Sequence, residues 1–202
     1  MNKKKFFLLL FIIFCIIQLS VPVYMIIKVK VTELESKEFN FQCRAYDPYN
    51  PLQGRYVRLA FEEEIKQIYL IPSLKNMSKN KLEELNGKEV NCILNKEYIL
   101  ADIIDITEKK PGLGAIYFKA KVSYIDYSEN IYDRKIHLKF PFDKYFLQED
   151  LAKTADEILR DTENYHQYNP ALTVNIGNNG NYVIKSLLIE DQPIEDYIKN
   201  KY

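Results

Sequence analysis

The spacing of apolar residues changes three times along this chain. The first pattern is a block. Phe6 to Ile27 contains no charged side chain, and Gln18, Ser20, Pro22 and Tyr24 are its only polar or helix-breaking members. A helix of that length rises about 33 Å at roughly 1.5 Å per residue, enough to cross a hydrocarbon core of about 30 Å. Lys3, Lys4 and Lys5 imitate the start of a cleavable signal peptide. Cleavage after Ser20, however, would put Gln18 where a small side chain is wanted and Pro22 just past the cut. Cys15 follows bulky Phe14 rather than the small residue that precedes a lipidated cysteine. The pattern therefore predicts an uncut transmembrane anchor over 1–27 and a short exit linker over 28–36. Three lysines precede the span, and Lys28 and Lys30 are soon offset by Glu33 and Glu35. This bias places the N-terminus in the cytoplasm and the remainder outside.

From residue 37 the spacing shortens to two, the period of a strand with one buried face. Lys37–Tyr46, Tyr56–Phe61, Ile65–Ile71, Val90–Leu94, Tyr98–Ile106, Ala115–Tyr124, Lys135–Phe140, Ala171–Ile176 and Tyr182–Ile189 are candidate strands. Asp47-Pro48 and Asn50-Pro51 close the first. Asn95-Lys96-Glu97 is short enough to join Val90–Leu94 and Tyr98–Ile106 as a hairpin, and Asn179-Gly180 is a tight-turn signal between the last two. A helical turn is expected around Leu82 and Leu85. The third pattern, with Leu147, Leu151, Ala155, Ile158 and Leu159 on one helical face, predicts an amphipathic helix near 147–161. The expected architecture is α+β and β-rich: a transmembrane helix, then a mostly antiparallel β domain over 37–202.

Charge narrows the function. The whole chain balances 28 basic against 28 acidic side chains, and residues 28–202 alone carry 25 against 28. A slightly acidic domain lacks the basic field that nucleic-acid binding needs. The partner implied by composition is the lipid bilayer, reached through the N-terminal helix.

The octet Gly54-Arg55-Tyr56-Val57-Arg58-Leu59-Ala60-Phe61 follows the turn Asp47-Pro48-Tyr49-Asn50-Pro51. It resembles the motif of the GDYXXLXY family, membrane-anchored bacterial proteins without an established activity. Val122-Ser123-Tyr124, Leu138–Leu147 and Asn181–Ile194 resemble the family's central strand, the segment leading into its helix, and its closing strand with a short tail. The resemblance covers most of residues 37–194 and implies a place in the cell envelope, with a polytopic membrane protein as partner. Two positions depart from the motif: Arg55 stands for its Asp and Phe61 for its last Tyr. Acid–base or metal chemistry by that Asp is unavailable to Arg55, whereas a role in turn structure and strand packing survives. Gly54 ends a proline-set turn, where freedom at φ > 0 or a close backbone approach is useful. Along the strand, Val57, Leu59 and Phe61 share one face, a core face; Tyr56, Arg58 and Ala60 share the other, which is a binding surface or a solvated face.

No catalytic or metal-binding set, and so no cofactor, follows from residue spacing. His137 and His166 are 29 positions apart and lack a second ligand at helical spacing. The serines at 73, 78, 123, 128 and 186 lie in no nucleophile elbow. The run Glu62-Glu63-Glu64 is expected to alternate across a strand as a solvated edge. Cys43 and Cys92 fall in different strand candidates; they form a disulfide closing a loop of about 50 residues, worth roughly 4 kcal/mol, or remain buried thiols. Tyrosine occurs 16 times and tryptophan never. Tyr46, Tyr49, Tyr124, Tyr127 and Tyr132 present a carbohydrate- or protein-binding face, or merely fill strand positions in a compositionally biased chain.

The reading is a non-enzymatic, membrane-tethered extracytoplasmic binding or assembly domain. The alternative is an envelope enzyme acting on a glycan or peptide through a site assembled only in three dimensions. A deep pocket holding Glu62–Glu64 or His137 beside Arg58 favours the enzyme, and a flat or groove-like face lined by Tyr56 and Arg58 favours binding. A third possibility is a sheet module whose unpaired edge recruits a partner strand.

Overall fold

The apolar block forms one continuous helix, α1 (Lys3–Glu35), in the computed structural model, which describes residues 3–46, 56–160 and 165–201. Leu10–Val31 is long and apolar enough to cross a membrane, and none of its most apolar stretch is buried against the rest of the chain. The stretch read as an exit linker is helical through Glu35, and only Ser36 separates it from the first strand. Its alternating Lys, Val, Thr and Glu offer no helix stop signal of the Gly or Pro kind.

The strands follow in chain order: β1 (Lys37–Ala45), β2 (Tyr56–Phe61), β3 (Ile65–Gln67), β4 (Glu89–Leu94), β5 (Ile103–Thr107), β6 (Tyr117–Asp126), β7 (Lys135–Lys139), β8 (Lys144–Phe146), β9 (Ala171–Ile176), β10 (Tyr182–Ile189) and β11 (Gln192–Pro193). Short helices α2 (Lys79–Glu83), α3 (Glu149–Arg160), α4 (Tyr165–Tyr168) and α5 (Ile194–Lys201) are set between and after them. One sheet runs β11-β10-β9-β1-β2-β8 and the other β3-β7-β6-β4-β5, with every named strand pair antiparallel. The fold is α+β and β-rich.

One strand expectation changes. Tyr98–Leu100 leaves the β4–β5 hairpin and runs parallel beside β1: Asn40 donates to the Ile99 carbonyl at 2.8 Å, and Ala101 donates to Asn40 at 2.9 Å. The tail that follows β11 is helical over Ile194–Lys201 and buries Ile194, Tyr197 and Ile198.

Five phenylalanines hold the sheets together. Phe41 and Phe61 come from one sheet, Phe118 from the other, and Phe140 and Phe142 from the β7–β8 connection. Their contacting rings lie 4.9 to 6.0 Å apart, mostly tilted or edge-on, the separations at which aromatic pairs add to simple burial. The amphipathic face of α3 closes another part of this core, with Leu151, Ala155, Ile158 and Leu159 all buried.

Candidate functional site

The motif strand β2 splits its side chains as a half-buried strand should. Val57, Leu59 and Phe61 are buried, while Tyr56, Arg58 and Ala60 are partly open. Register decides what surrounds the open set, because residues paired across antiparallel strands point to the same side. Arg58 lies opposite Lys144 on β8, Tyr56 opposite Phe146, and Ala60 opposite Arg44 on β1. Tyr46 donates its backbone N–H to the Arg58 carbonyl at 2.9 Å, extending the row. The Tyr56 ring sits 5.6 Å from Phe146 and 4.9 Å from the Lys144 ammonium. Gly54 and Arg55, with the preceding proline turn and Tyr49, lie outside the described residues.

Beyond Phe61 the chain crosses from one sheet to the other through a 3-10 turn, Glu62–Glu64, into β3. The three carboxylates do not form a solvated edge. Glu62 is exposed, Glu63 is buried, and Glu64 folds back across the crossing. Glu64 accepts the Phe61 N–H at 3.3 Å and the Phe140 N–H at 3.0 Å, one on each carboxylate oxygen. Leu59 donates to the Asp143 carbonyl at 2.8 Å, so the β7–β8 connection continues the pairing of β2 around the corner.

An open groove of about 340 Å³ lies along this seam. Arg44, Tyr46 and Arg58 line it from one sheet, and Tyr124, His137 and Lys139 from the other. A register shift between Val122 and Tyr124 turns Tyr124 onto the same face as His137, and their rings stack at 4.0 Å with an interplanar angle of 14°. Burial, reinforced by Lys135 and opposed by Asp126, holds the His137 imidazole below its ordinary range. The groove thus gathers Arg58, Glu64 and His137, but both Glu64 oxygens already accept backbone N–H groups. Tyr56 stands beside the groove without lining it. His166 falls in α4.

Glu63 is the other unusual carboxylate. It is 8% exposed, its Oε2 has no hydrogen-bond partner among the described residues, and burial pushes its carboxyl up to about 7. Cys43 on β1 and Cys92 on β4 are both fully buried free thiols, and burial pushes both far above the ordinary thiol range. Among the described residues, no group of three or more His, Cys, Asp or Glu is placed to hold a metal ion.

The tyrosines divide. Tyr46 and Tyr124 are exposed along the groove, Tyr132 is exposed against Tyr69, and Tyr127 is covered by the Arg134 guanidinium at 4.2 Å from its centroid. The residues sequence reasoning missed are Arg44, Lys121, Lys139 and Lys144. Period-2 alternation marks Arg44, Lys121 and Lys139 as outward strand positions, Lys144 lies in a short strand that the alternation does not show, and only register brings the four together.

The family model described as GDYXXLXY protein matches residues 18–187, from the second half of the apolar helix through most of β10. No curated protein and no solved structure matches the chain.

Proposed function

The chain belongs to the GDYXXLXY family, and from that premise we propose a membrane-tethered, non-enzymatic binding or assembly domain of the bacterial cell envelope. The N-terminal helix stays uncut as an anchor with its N-terminus cytoplasmic, and residues 37–202 work outside the membrane. Two observations support the anchor. Ile16, Leu19 and Met25 each expose more than half their surface, which a soluble core helix would not. The missing small-residue cleavage site argues against removal.

One observation carries the binding reading: the motif strand directs Arg58 and its neighbours into an open groove shared by both sheets. The partner is an envelope component, with a polytopic membrane protein in the same bilayer as the protein partner. The test is a mild crosslinking pulldown of the full-length protein from its own membranes, beside a Tyr56→Ala, Arg58→Ala double variant. A partner kept by wild type and lost by a folded variant supports the motif strand as a binding face. Retention by the variant refutes that assignment. Proteolysis of intact spheroplasts checks topology separately, since an outward domain is digested without lysis.

The second reading, an envelope enzyme acting on a glycan or peptide, draws on the meeting of His137, Glu64 and Arg58 in one groove. It requires turnover that His137→Ala abolishes in a folded protein.

A further inference from the structure

A second concavity of about 300 Å³ adjoins the seam groove and shares Arg58, Lys139 and Asp143 with it. It adds Lys119, Lys121 and Lys144. We propose that the two together form one binding track for an acidic glycan strand, a polymer carrying phosphate or carboxylate groups at intervals along its length. This assignment rests on reading the domain as an extracytoplasmic binding module and names the chemistry of its ligand.

The register supplies the first argument. Arg58 lies directly opposite Lys144 in one sheet, and Lys121 directly opposite Lys139 in the other. Like charges facing each other across strands oppose pairing, yet the fold places one such pair on each side of the same depression. Lys139 has the Asp143 carboxylate at 3.8 Å and Lys119 has Glu89 at 3.5 Å, and Lys121 lies opposite Glu89 on its other side. Arg44, Lys121 and Lys144 make no ion pair among the described residues. Because residues 28–202 carry more acids than bases, this cationic patch is a local arrangement and not a reflection of composition.

Shape and chemistry point to a polymer with sugar rings. The cations come from β1, β2, β6, β7 and β8, strands spaced about 4.8 Å apart within each sheet, so they form a track and not a single-ion cup. The Arg44 guanidinium offers a fork that matches phosphate or carboxylate oxygens, while the lysines act as point charges. Exposed Tyr46 and the flat Tyr124–His137 stack provide ring faces along the same trough, apolar platforms of the kind that receive the flat side of a sugar.

The test uses purified full-length protein in nanodiscs of zwitterionic lipid, with poly(glycerol phosphate), polygalacturonate and neutral dextran as probes. The expected result is binding of both polyanions, not dextran, weakening at least about tenfold between roughly 50 and 300 mM salt as screening takes hold. Arg44→Glu, Lys121→Glu, Lys144→Glu together lose at least about tenfold in affinity, with Arg44→Gln, Lys121→Gln, Lys144→Gln as the substitute if reversal unfolds the domain. A remote triple, Lys75→Glu, Lys109→Glu, Lys110→Glu, stays within about twofold of wild type, the small long-range share that screening leaves. Equal loss in both triples, absence of polyanion binding, or track-dependent binding only to nanodiscs doped with phosphatidylglycerol overturns the proposal. The assay is independent of which side of the membrane the domain occupies, so its failure is distinguishable from failure of the topology test above.

Discussion

Glu64 and Phe140 are 76 positions apart, and the carboxylate of one accepts the backbone N–H of the other at 3.0 Å. The second carboxylate oxygen accepts Phe61 N–H at 3.3 Å. One side chain thus fastens the end of the motif strand to the end of β7, where two sheets that share no ladder meet. Both phenylalanines are buried, so removing the acceptor strands two donors away from water. Glu64→Ala is expected to destabilise by about 3 kcal/mol and Glu64→Gln by roughly half that, since the amide keeps one acceptor. Urea unfolding of the full chain in detergent micelles measures this. An unchanged midpoint for Glu64→Ala would show that the corner holds without the carboxylate.

Gly180 is the one position where the β9–β10 hairpin has no room. Its φ is +80°, and a Cβ there would stand 2.8 Å from the Tyr117 ring at the start of β6. Gly180→Ala meets both a backbone conformation that L-residues avoid and a ring it must displace. A loss of about 2 kcal/mol is expected. Tyr117→Ala alone loses buried aromatic area. Combined with Gly180→Ala it should show less than additive loss, because the clash is gone. Additive losses would mean that the ring does not constrain the turn.

These relationships mark how far the sequence could be read. Val57, Leu59 and Phe61, and the stripe from Leu151 to Leu159, were legible because burial of one face imposes a local period on the chain. Tyr98–Leu100 looked like hairpin strand because alternation does not say which neighbour a strand pairs with; here it is β1, through Asn40. Residues 28–35 looked like a linker because they are polar, yet nothing in them stops a helix. Glu63 looked solvated because its burial comes from the packing of distant strands around the 3-10 turn. Arg58 was visible as an outward residue of the motif. Lys121, Lys139 and Lys144 became part of the same surface only through pairings between segments far apart in sequence.

Cys43 and Cys92 are fully buried thiols, one in each sheet, and their burial favours the neutral form that reacts slowly. Native protein should therefore resist a maleimide at both positions over hours, while unfolding in guanidinium without reductant exposes both within minutes. Mass spectrometry of the labelled peptides reads the result. Label on both the Cys43 and the Cys92 peptide of the denatured, unreduced protein is expected. No label at either position until reductant is added would establish a disulfide.

Glu63 gives the domain a pH dependence opposite to that of an ordinary salt-bridged acid. Burial raises its carboxyl from 4.5 to about 7, with Glu62 adding, while its own and the Gln42 backbone N–H and Lys66 act in the other direction. Because the folded state holds this proton more tightly than the unfolded one, the contribution is complete below about pH 4.5. It declines as pH rises to about 7, and is gone above that. Glu64, also raised chiefly by burial, acts with the same sign. Glu63→Gln keeps the shape and removes the titration. Relative to wild type it should be on the order of 2–3 kcal/mol more stable above pH 7 and nearly equal near pH 4.5. The difference between the two proteins isolates this group from other carboxylates, whose loss of pairing in acid runs the opposite way. Thermal unfolding of both at a series of pH values reads it out. A constant difference across the range would show that Glu63 does not titrate between the folded and unfolded states, and a more stable wild type at pH 8 would show that the ionised carboxylate is held by a partner.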